Sequence, residues 1–92
     1  MSNETRPGNE VDAALQRVGD LLRSDPALAA REAEAVLRVA PGQPVATLFL
    51  AMALRQLGNL QGALAILEAL SQRQRESAAV QYELGVTLGL AR

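Results

Sequence analysis

No cysteine and no histidine occur among the 92 residues of this chain. Without cysteine there is no disulfide framework and no thiolate chemistry. Without either residue, a zinc site of ordinary type and a histidine acting as general acid or base are nearly excluded. Lysine is missing too, and all nine basic residues are arginine. With the abundance of alanine and leucine, this is the codon style of a GC-rich, bacterial genome. The aromatic residues are Phe49 and Tyr82, too few for base stacking. A net charge of −1 leaves no electrostatic footprint for nucleic acid or an anionic membrane. The longest apolar run, Val45 to Leu54, is interrupted by Thr47 and falls short of the roughly 20 residues a bilayer requires. The N-terminal MSNETRPGNE is polar and carries no apolar segment of signal-peptide type. The expected location is cytoplasmic.

What is present favours helix. Ala, Leu, Glu, Gln and Arg dominate, and all are strong helix formers. No stretch alternates with period two over strand length. The fold class expected is all-α. Residues 1–9 read as a flexible tail, and residues 10–92 as one domain of five helices, at about 10–23, 26–39, 44–57, 60–73 and 78–90. In the first, Val11, Leu15, Val18 and Leu22 form the buried stripe, and Gly19 implies the close approach of another helix. Asp25-Pro26 opens the second, with Leu28, Val36, Leu37 and Val39 as its bulk and Glu34 placed to pair with Arg38. Pro41, Gly42 and Pro44 separate the second helix from the third. There Phe49, Leu50, Ala53, Leu54 and Leu57 form a broad core stripe. Gly58 and Asn59 make a tight turn into the fourth, cored by Ala63, Leu64, Leu67 and Leu70. Ser77 caps the fifth, where Val80, Leu84 and Leu88 keep helical spacing. Pro44 to Ser77 is the one complete hairpin, and it is too apolar to stand alone.

The chain repeats at a spacing of 34 residues. Leu50-Ala51 and Leu54 fall on Leu84-Gly85 and Leu88. Ala29, Ala33 and Val36 fall on Ala63, Leu67 and Leu70. These residues, together with the Gly58-Asn59 turn and Pro41, resemble the tetratricopeptide repeat family, over roughly Asp25 to Arg92. Departures are Thr47 and Gln81 where the family places a large aromatic, and Arg75 where it places a proline. Val18-Gly19 and Leu22 imitate the first-helix signature about two residues out of register. The resemblance implies a superhelix of hairpins whose first helices line an inner groove.

On that basis the chain is expected to be a non-catalytic protein-protein interaction module. The implied groove presents Val45, Leu48, Met52, Arg55 and Gln56 from helix 3, with Ala79, Tyr82 and Val86 from helix 5. An apolar strip rimmed by Arg and Gln suits a protein or peptide partner. The same side chains would equally suit packing between hairpins. Leu48 and Met52, with no lysine, do not match family members that clamp acidic C-terminal tails. No nucleophile–base pair and no phosphate loop can be assembled, Glu32 and Glu34 point apart, and no catalytic residue, cofactor or metal is expected. The alternatives are the N-terminal repeat module of a longer bacterial protein, for example a repeat-containing sulfotransferase, or a self-associating homodimer. Helix 5 is apolar on two sides and meets no stop signal. A chain continuing past Arg92, or a dimer covering that end, is therefore expected.

Overall fold

Side-chain caps divide the chain into its elements. The computed structural model describes residues 7–92, and these form five helices with no strand among them. They are α1 (Pro7–Ser24), α2 (Pro26–Val39), α3 (Pro44–Gln56), α4 (Leu60–Arg73) and α5 (Ala78–Ala91). Asp25 accepts the Leu28 backbone N–H at 3.2 Å, Asn59 accepts that of Gly62 at 3.0 Å, and Ser77 accepts that of Val80 at 3.2 Å. Each bond satisfies a donor that the first turn of a helix leaves free. Gln43 does the same at α3, accepting the Ala46 N–H at 2.7 Å. Pro26 and Pro44 follow their caps, where a missing N–H costs nothing.

The turn between α3 and α4 closes by a double backbone bond. The Asn59 N–H donates to the Leu54 carbonyl at 2.8 Å and the Gly58 N–H to the Arg55 carbonyl at 3.0 Å. This is a Schellman arrangement, and it requires a left-handed residue after the C-cap. Gly58 supplies it with φ of 88°. Gly42, with φ of 83°, turns the chain between α2 and α3 in the same region of backbone space.

Each helix packs on its successor, and α3 also meets α1 and α5. The result is an elongated stack of hairpins, 52 × 28 × 19 Å. Small residues let the helices approach closely. Val18, Leu22, Ala29, Ala30, Ala33 and Ala53 bury together between α1, α2 and α3, with Phe49, Leu50 and Met52 against them. Leu15, Val36 and Ala46 form the adjoining cluster. Further along, Ala63, Leu67 and Leu70 of α4 are buried, as is Val80 of α5. Burial of a leucine contributes roughly 1.5–3 kcal/mol, and α4 depends on two such residues.

Several expectations are corrected. Helix α1 begins at Pro7, so Pro7–Asn9 belong to it and not to a tail. Residues 1–6, the rest of the expected tail, lie outside the described residues. Leu57 is exposed because it is the C-cap of α3 and has left the helical stripe. Val39 is also exposed, at the last residue of α2. Glu34 and Arg38 stand exposed. The ion pair that α2 makes is between helices, Arg17 to Glu32 at 3.6 Å. Both groups are well hydrated, and a pair of this kind contributes little. Gly19 faces the Phe49 ring, but a Cβ built there would sit 3.6 Å from it, an ordinary contact. No helix among the described residues is long and apolar enough to cross a membrane.

Candidate functional site

Helices α3 and α5 bring the expected groove residues onto neighbouring elements, and one ion pair ties them. Arg55 of α3 donates from Nη2 to Oε1 of Glu83 in α5 at 3.0 Å. The two side chains are 20% and 12% exposed. In this sheltered setting the charges are weakly screened and the bond is charge-assisted. The Arg55 Nε–H is buried without a hydrogen-bond partner. Arg55 is thus a structural tie between α3 and α5, and its polar head is only partly satisfied by Glu83.

The remaining residues divide by exposure. Tyr82 is 69% exposed, the most open aromatic position in the chain, and Val45, Gln56 and Ala79 are also exposed. Leu48, Met52 and Val86 are half-buried. Met52 packs against the cluster of Val18, Leu22 and Ala53, so part of its side chain belongs to the core. Of the large apolar residues expected in the groove, Val45 and Tyr82 are thus the open ones, and Leu48 and Val86 are half-buried.

A concave surface lies outside the two helices expected to build the groove. A cleft of about 470 Å³ lies between α1 and α3, lined by Leu15, Gln16, Gly19, Asp20, Val45 and Phe49. Val45, one of the expected groove residues, thus lines this cleft. The out-of-register signature of α1 concealed its contribution, although Gly19 was a signal that something must come near.

Glu83 and Thr87 were not anticipated. Both are buried on α5, in a stripe with Val80. Leu88, expected in the core, is 43% exposed instead. The physical reason is that the polar pair is satisfied where it lies. Glu83 reaches Arg55, and the Thr87 hydroxyl donates to the Glu83 carbonyl one turn back at 2.7 Å. The repeat carried a usable signal. Val80 and Thr87 stand 34 residues after Ala46 and Ala53, and all four are buried.

A family model described as tetratricopeptide repeat matches residues 20–84, more than half of the chain. No curated protein and no solved structure gives a match.

Proposed function

The chain belongs to the tetratricopeptide repeat family, and on that premise we propose that it takes a partner peptide along the face shared by α3 and α5. Repeats of this family generally mediate protein–protein interaction. The observation that carries the choice of face is Tyr82. A large amphipathic side chain stands 69% exposed on α5, one turn from half-buried Val86. Aromatic anchors of this kind contribute large contact area at low conformational cost and are enriched at binding centres. The segment it takes is largely apolar, to match Val45, Leu48, Tyr82 and Val86. The absence of histidine and cysteine supports a role that is binding and not catalysis.

The test is selection of peptides from a displayed library on the 92-residue chain. Peptides so selected should lose at least about tenfold in affinity for Tyr82→Glu and Val45→Glu, with the helical circular dichroism unchanged. Met52→Glu is the poorer probe, because Met52 also supports the α1–α2 core. Equal binding by wild type and both variants would refute this face.

A further inference from the structure

One residue sets the charge of the α1–α3 cleft. Asp20 is exposed and lines it beside Gln16, while Leu15, Val45 and Phe49 form its apolar walls. Gln16 and Asp20 stand four residues apart on α1, so they share one side of that helix. Gly19 puts no side chain in the way, and the atoms nearest to it belong to the Phe49 ring. Asp20 makes no ion pair among the described residues. Arg17, which borders a second hollow with Asp20, pairs instead with Glu32. Among the residues proposed for the α3–α5 face, Arg55 is the charged one, and Glu83 holds it at 3.0 Å. The residues of cleft and face together thus offer one unpaired acid and no free base.

We propose, on the reading that a peptide lies along α3 and α5, that this cleft receives an arginine or lysine side chain of that peptide. The charged head pairs with Asp20 and donates to the side-chain oxygen of Gln16. The methylene stem lies on Leu15, Val45 and the Phe49 ring, since long basic side chains bury their stems on apolar surface and keep the head in water. A cation held close to the ring gains further from the aromatic face. An acidic side chain is disfavoured, because Asp20 repels it and no free base answers it. An apolar side chain would suit the walls but would strip water from an Asp20 left unpaired. Val45 lines the cleft and is also proposed to contact the peptide, which places the basic residue next to the segment that Val45 touches. Asp20 is exposed, so its pairing acts more on the choice of peptide than on total affinity.

The probes are peptides selected from the displayed library on the 92-residue chain. They should be enriched in arginine or lysine over the library itself. For each such peptide, Asp20→Asn should weaken binding about threefold to fivefold and Asp20→Arg about tenfold or more. Gln16→Glu adds a second acid and should strengthen binding about threefold. Both positions are exposed, so the helical circular dichroism should not change. Replacing the peptide's basic residue by glutamate should restore binding to Asp20→Arg, a rescue that a merely structural role for Asp20 would not give. Selected peptides without basic residues, or enriched in acidic ones, would overturn the cleft assignment. So would peptides that lose affinity for Tyr82→Glu but bind both Asp20 variants as they bind wild type, and the α3–α5 face would then stand. Loss with the Asp20 variants, but with neither Tyr82→Glu nor Val45→Glu, would keep the cleft and refute that face.

Discussion

Gly58 and Gly85 should respond to alanine in opposite directions. Gly58 holds φ of 88° with no neighbour near a Cβ, so Gly58→Ala pays only backbone strain, about 1 kcal/mol. Gly85 is helical and unobstructed, so Gly85→Ala should stabilise by about 0.5–1 kcal/mol. Urea midpoints of the two variants check both signs. The Arg55–Glu83 tie makes a second residue-scale prediction. Glu83→Leu leaves the sheltered guanidinium unpaired and should cost about 2–3 kcal/mol, whereas Arg55→Met with Glu83→Leu should recover most of it. A double-mutant cycle measures the difference. If the single variant unfolds at the wild-type midpoint, the pair is not a tie. Neither partner could be read from its own helix. Arg55 and Glu83 are 28 positions apart, and helical periodicity speaks only of residues within one element.

At the scale of elements, α5 is the most weakly held. It packs on α4 and, through Glu83, on α3, while α3 has neighbours on both sides. It also contains Gly85 and Gly89, each unfavourable in a helix interior by about 1 kcal/mol. Native-state hydrogen exchange should show α5 amides opening at lower free energy than those of α3, with Glu83→Leu widening the gap. Equal protection in both helices would contradict this. The helices themselves were legible in the sequence, because Asp25, Pro26, Pro44, Gly58, Asn59 and Ser77 are local signals with local causes. The buried stripe of α1 was legible as well, since Leu15, Val18 and Leu22 keep one spacing and lie in the core. The orientation of α5 was not. It is apolar nearly all round, so hydrophobicity alone selects no face, and the choice falls to a polar contact with another helix.

For the whole molecule, the stack places three first helices in sequence, with α3 between α1 and α5. Val45, proposed to contact the partner from α3, also lines the α1–α3 cleft, so the proposed surface adjoins that cleft. The repeat suggested the α3 and α5 residues proposed for this surface, but it did not point to the α1 part. There the spacing departs from 34, and only folding shows that Phe49 lies over Gly19. The central claim is that a partner peptide lies along this surface. Its most direct test is amide chemical-shift mapping of the 92-residue chain with a library-selected peptide. The largest shifts should cluster on α3 and α5 around Val45, Leu48, Tyr82 and Val86, with smaller shifts near Gly19. Shifts centred on the exposed faces of α2 and α4, with Tyr82 and Val45 unmoved, would contradict it.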